Sequence, residues 1–227
     1  MNLLGLDTST AATAACLLRC DGEAFEAIPT ASDLTTPPAH ARELMPALAR
    51  MVAEAGLGFG DLDALAVGIG PGTFTGLRIG IATARALAAA RGLPLHPVSS
   101  LAALARGADA PLVLAAIDAR RGEIFAALHD ESGERWAPFV VRPEALAERV
   151  RESSLAPLAA GDGAVRYRKE LEAAGARIPP DDSPRHVVRA LAVCRLAARV
   201  APVAPEAVLP HYLRMPDAVP EPQTPRP

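Results

Sequence analysis

Aromatic residues are scarce in this chain: five Phe, two Tyr and one Trp among 227 residues. Half of the residues are apolar all the same, and alanine supplies much of that total. The core is therefore expected to be built of small side chains packed closely between helices and sheet. Cysteine is scarce too. Cys16, Cys20 and Cys194 are odd in number and lack C-x-x-C spacing, which argues against a disulfide framework and fits a reducing compartment. No apolar run approaches the ~20 residues of a membrane span, and the opening MNLLGLDTST carries neither a basic flank nor a cleavage site. Positive charge is not in excess: a net charge of −3 leaves no basic footprint for autonomous nucleic-acid binding. The expectation is a cytoplasmic globular protein without membrane contact, holding one large domain or two small ones.

Common catalytic signatures are missing as well. No Gly-Lys-Ser/Thr follows a glycine loop, and G-x-G-x-x-G is incomplete because Thr73 stands where its third glycine would be. There is no G-x-S-x-G. The five histidines (His40, His96, His129, His186, His211) are scattered. His40 and Glu43 share a helical face, but without a second histidine four residues on they do not make a zinc site.

What is present is an alternation of strands and helices. NLLGL reads as a buried strand, and Asp21-Gly22 between TAACLLRC and EAFEAI is a hairpin signal. A helix is expected over His40–Ala55, with Pro46 forcing a kink or a late start. LDALAVGIG is the next strand, Leu77–Arg91 a helix closed by Gly92, and LPLHPVSS a further strand. This order predicts an α/β layer with an antiparallel hairpin on a partly parallel sheet. A looser echo follows: strands LVLAAID, EIFAALHD and RWAPFVVR, a helix Pro143–Arg151, a strand PLAAGDG, and helices Val165–Ala174 and Arg185–Val200. Residues 1–98 are thus expected to form one lobe and 99–215 a second, shorter lobe whose last helix packs back on the first. Residues 216–227 form a proline-rich tail outside any core.

Three features carry candidate chemistry. The corner Gly68–Gly76 leads from a strand into a helix N-terminus, a setting that favours anions, with Thr75 as the expected N-cap and Arg78 in the first turn. Its alternative reading is a tight turn whose glycines permit close packing. Asp7-Thr8-Ser9-Thr10, at the end of the first strand, suits either a metal-bound phosphate or a capped turn. Asp118-Ala119-Arg120-Arg121-Gly122-Glu123 concentrates charge in a strand-end turn. Both first-lobe helices carry more apolar surface than one sheet-facing stripe needs. Leu44, Leu48, Met51 and Ala55 form one stripe and Met45 and Val52 start another; Leu77, Ile81, Ala84 and Ala88 line one face, while Ile79, Ala82, Ala86 and Ala90 lie elsewhere.

The blocks LLGLDTST, HARELMPAL, AVGIGPGTFTGLRIGIATARALA, LPLHPVSSLAALA, IDARRGEIFAAL, AAGDGA and PHYLR occur in that order. By them the chain resembles, over residues 2–215, the TsaB family of bacterial tRNA threonylcarbamoyladenosine biosynthesis proteins. The resemblance implies a two-lobe actin-like and sugar-kinase-like (ribonuclease-H-like) α/β fold with a truncated second lobe. It implies a non-catalytic dimerisation and assembly subunit that works with the homologous catalytic subunit TsaD and the ATPase TsaE. Together they transfer a threonylcarbamoyl group to the adenosine next to the tRNA anticodon. ATP would serve the complex, with no cofactor held by this chain. Contact with tRNA would be indirect, and the chain alone would be a homodimer.

The catalytic relative carries a His-x-x-x-His metal pair, and Ser100 and Leu104 stand at those positions here. The implied partner interface comprises His40, Leu44, Leu48, Met51, Gly76, Leu77, Arg78, Gly80, Ile81, Ala84 and Arg85. Leu77→Glu is then expected to abolish pairing. Asp7, Thr8, Ser9, Gly70 and Gly72 would be a vestigial nucleotide loop. The alternative is an active ATP-binding kinase or ATPase, with Asp7 on Mg²⁺ and the glycine corner on phosphate. A metalloprotease reading comes only from kinship with the metal-binding relative.

Overall fold

The structure is a computed structural model that describes residues 1–214. The proline-rich tail expected from Pro216 lies outside the described residues. Strands β1 (Leu3–Asp7), β2 (Ala14–Leu18), β3 (Ala24–Ala27), β4 (Ala64–Gly68) and β5 (Leu95–Val98) form one sheet in the order β3-β2-β1-β4-β5. The β1–β2 and β2–β3 pairs are antiparallel, whereas the β1–β4 and β4–β5 pairs are parallel. The second sheet contains β6 (Leu112–Arg120), β7 (Glu123–Asp130), β8 (Gly133–Val141) and β9 (Leu158–Ala160), in the order β8-β7-β6-β9. It repeats the antiparallel meander and the first parallel partner, one strand short. This is the two-lobe plan of the actin-like fold in general terms.

The helices are α1 (His40–Glu54), α2 (Phe74–Arg91), α3 (Ser100–Ala108), α4 (Pro143–Ser153), α5 (Asp162–Arg166), α6 (Arg168–Ala173) and α7 (Ala190–Ala197). α1 and α2 cover one face of the first sheet, α3 and α7 fill the space between the sheets, and α4 to α6 cover the outer face of the second. β1 is therefore buried on both faces. Leu4 and Leu6 point toward α1 and α2, and Leu3 toward the central layer. Gly5 lies under α7, where a Cβ would come within 2.4 Å of Cys194 Sγ. Alanines such as Ala14, Ala64, Ala66 and Ala115 face the same layer, and their size is what lets α3 and α7 fit there.

Several elements differ from the sequence expectations. α1 starts at His40 despite Pro46, so the late start is overturned. The carbonyl that loses its amide partner belongs to Arg42, on an exposed stretch where water can replace the bond. α2 begins at Phe74 with Thr73 as N-cap, three residues before the expected start, because the Thr73 amide is tied to the Ser9 carbonyl at 2.7 Å. α3 was not expected, although Ser99 caps it by accepting from the Ala102 amide. The helix expected over 165–174 is two short pieces that meet at Tyr167.

The last helix begins at Ala190, not Arg185. Buried His186 holds the preceding segment in another conformation, its Nδ1 accepting from the Gly161 amide and its Nε2 donating to the Pro180 carbonyl. α7 then packs across β1 and β2 of the first sheet. Beyond it, Val203 bridges to Leu95, and the His211 amide donates to the Ile69 carbonyl.

Candidate functional site: a closed glycine corner beneath an outward helix face

The loop after β1 and the corner after β4 meet directly. Asp7 is buried, and its carboxylate is fully engaged. Oδ1 accepts from the Ser9 amide at 2.8 Å and the Ser9 hydroxyl at 2.6 Å; Oδ2 accepts from the Ser100 hydroxyl at 2.6 Å. The Ser100 oxygen in turn accepts from the Gly70 amide. Burial pushes the Asp7 carboxyl above its ordinary value even though these bonds pull the other way.

The corner's glycines are explained by this contact. A Cβ on Gly72 would stand 2.3 Å from the Ser9 carbonyl oxygen, one on Gly76 2.1 Å from that of Thr8, and one on Gly80 2.3 Å from Thr8 Oγ1. The Thr8 hydroxyl also donates to the Gly76 carbonyl at 2.7 Å. Asp7, Thr8, Ser9, Gly70 and Gly72 do come together as a group, and they pack against one another. The backbone approach that would serve a phosphate serves the Ser9 loop instead. Ser100 is engaged with Asp7, and Leu104 is buried in the central layer. Among the described residues no group of three or more His, Cys, Asp or Glu side chains is placed to hold a metal.

His40 belongs to this assembly. Its Nε2 donates to the Thr10 carbonyl at 3.0 Å and its Nδ1 accepts from the Thr13 hydroxyl at 2.8 Å. Burial lowers its pKa, in keeping with a neutral ring. It pins the first turn of α1 to the loop after β1.

The expected interface residues need correction. His40, Leu44, Leu48, Met51, Gly76, Leu77, Gly80, Ile81 and Ala84 are all buried within the chain. They form the sheet-facing stripe of their helices, or the side that meets Thr8. Of the expected set, Arg78 is exposed and Arg85 half-buried. The outward faces are Ala41, Met45 and Ala49 on α1, and Ile79, Ala82 and Ala86 on α2. Met45 is 43% exposed. At the start of α2 the Arg78 guanidinium lies 3.6 Å over the Phe74 ring, Phe74 stacks on Tyr212, and Arg78 Nε donates to the Tyr212 hydroxyl. Sequence reasoning missed Phe74 and Tyr212 here; the signal was an aromatic at the first turn of a small-residue helix.

The charged turn of the second lobe is likewise internally bonded. Arg120 and Arg166 each donate to Asp118 Oδ2 at 3.1 Å, and Arg214 donates to Glu123. Arg121 and Gly122 join paired Arg120 and Glu123 with positive φ, as a two-residue hairpin loop requires. Below them the Asp118 amide donates to Asp162 Oδ1. Burial pushes the Asp162 carboxyl from 3.8 up to about 6.

A raised acid binds its proton more tightly when folded. Its contribution is therefore complete below about pH 4 and is lost as pH rises through about 6. Asp162→Asn is expected to be near neutral for stability at about pH 4 and stabilising by about 1–3 kcal/mol at about pH 7.5. Urea unfolding at both values checks this. Equal effects at the two would rule out the raised carboxyl.

A family model described as tRNA N6-adenosine threonylcarbamoyltransferase (TsaD) matches residues 35–153, just over half of the chain. The Escherichia coli tRNA threonylcarbamoyladenosine biosynthesis protein TsaB is 38% identical over 167 residues, 68% of each chain. The Haemophilus influenzae protein of the same name is 39% identical over 129 residues, 55% of this chain and 52% of that one. The crystal structure of a Pseudomonas aeruginosa protein described as similar to peptidase YeaZ superposes with a TM-score of 0.77 at 32% identity, covering 94% of this chain and 99% of that one. On this likeness in sequence and in fold, the chain belongs to the TsaB family.

Proposed function

We propose that the chain is the non-catalytic assembly subunit of a cytoplasmic complex that makes tRNA threonylcarbamoyladenosine. The observation that carries this reading is the closed corner: Ser9 packs on Gly72 and the Asp7 carboxylate is spent on Ser9 and Ser100. A phosphate-binding loop turned inward supports a role in docking. The outward faces of α1 and α2 are the docking surface, with Met45, Ile79, Ala82 and Ala86 as its apolar part and Arg78 at its end. Small side chains let a partner helix approach closely, and two helices against two can bury the ~1,000 Å² that a specific interface needs.

The partner is the homologous catalytic subunit TsaD, assisted by the ATPase TsaE; a second copy of this chain takes its place when the chain is alone. ATP serves the complex, tRNA is met through the partner, and this chain holds no cofactor. The second lobe is a truncated copy of a ribonuclease-H-like first lobe, and we draw the boundary near residues 98 and 99.

The test is threonylcarbamoyl transfer to tRNA by TsaD and TsaE, with and without this chain. Transfer is expected only in its presence. Equal rates either way would end the assembly reading.

A further inference from the structure

The second lobe carries a pocket at the opposite end of β6 from Asp118. It measures about 310 Å³ and is enclosed by α3, the start of β6, the end of β7 and the last turn of α7. That is roughly ten times the ~30 Å³ share of one water and at the lower end of small-ligand sites. Ala105, Val113 and Leu196 give it an apolar lining.

His129 contributes to the wall, and its Nε2 is buried without a hydrogen-bond partner. Burial lowers the pKa of this imidazole, which favours the neutral ring.

Four charged side chains stand around the pocket: Arg106 and Arg199, Asp109 and Glu131. Among the described residues none of the four has an ion-pair partner. Asp130, beside His129, differs, because its carboxylate is already taken by Ser132, Gly133 and Arg135. Two helices also end here, bringing the negative ends of their dipoles. A simple anion would meet those carbonyl ends and two carboxylates, and a simple cation would meet two guanidinium groups. Both are disfavoured, and among the described residues no set of metal ligands stands here. A molecule carrying both charges satisfies the whole ring.

We propose that this pocket binds a small zwitterion of the amino-acid type. Arg106 and Arg199 meet its carboxylate and Asp109 and Glu131 its ammonium, with the His129 ring forming part of the wall beside them. The site is independent of the docking surface on α1 and α2.

The experiment is an NMR titration of the full-length chain, following the ¹⁵N-labelled histidine side chains. The probes are glycine, acetate, methylammonium and inorganic phosphate. Glycine is expected to shift His129 alone among the five histidines, saturably, with a Kd of roughly millimolar. Acetate and methylammonium are expected to bind at least about 10-fold more weakly, and Arg199→Ala, at an exposed position, to weaken glycine about 10-fold. The proposal is overturned if His129 stays unmoved to ~50 mM glycine, if acetate or phosphate shifts it as strongly, or if Arg199→Ala leaves the glycine affinity unchanged.

Discussion

Leu77→Glu is expected to yield an unfolded chain, not a folded one that fails to pair. Leu77 is 0% exposed and packs in the cluster formed by α1, α2 and the first sheet. The substitution removes a core leucine, which costs about 2–5 kcal/mol. It also buries an unpaired carboxylate, whose desolvation adds several kcal/mol more. Together these approach or exceed the ~5–15 kcal/mol that holds a typical domain.

Gly76→Ala is a cleaner companion, because one methyl is added to a helix that alanine itself favours by about 1 kcal/mol. Its Cβ would stand 2.1 Å from the Thr8 carbonyl oxygen, so any loss reports the contact between the corner and the Asp7 loop. Circular dichroism melts and soluble yield check both variants. A cooperative melt for Leu77→Glu within about 5 °C of the parent would contradict this packing.

Ala82→Arg should do the reverse. Ala82 is exposed on the outward face of α2, and surface changes of this kind usually stay within ±0.5 kcal/mol of the parent. Folding should therefore be untouched. In a helix pair that relies on small side chains for close approach, a guanidinium placed in the centre is expected to weaken association at least about 100-fold, or about 2.7 kcal/mol. Threonylcarbamoyl transfer supported by the chain should fall with it. Size-exclusion chromatography with TsaD at low micromolar concentration reads the result. Unchanged co-elution would move the docking surface away from α1 and α2.

The contrast between Leu77 and Ala82 marks where the sequence stopped being legible. The strands and the Asp21-Gly22 hairpin could be read because alternation and turn chemistry are local. The direction a helix faces is not local when most of its residues are alanine, which fits inside or outside equally well. For α2 the choice is made by Gly76 and Gly80, which lie against Thr8 and thereby turn Leu77 and Ile81 inward. That contact joins residues nearly seventy positions apart. The same limit hid the role of the corner: glycines that admit a phosphate and glycines that admit a neighbouring loop look alike in sequence. α3 is a different case. Ser99 before an apolar run is a legible helix start, but the strand read over LPLHPVSS runs through it.

The position of α7 constrains the order in which this protein can be made. β1 and β2 leave the ribosome well before α7, yet their central face is covered by that helix, which ends at Ala197. From Val98, where the first sheet is complete, about a hundred residues must still be added, which takes about 5–20 s at ordinary elongation rates. During that interval the nascent sheet exposes Leu3, Ala14, Cys16 and Ala66 without their cover. A chaperone that binds short apolar strands near the exit tunnel should therefore favour this chain until α7 emerges. Termination before α7 would leave that face of β1 and β2 without its cover.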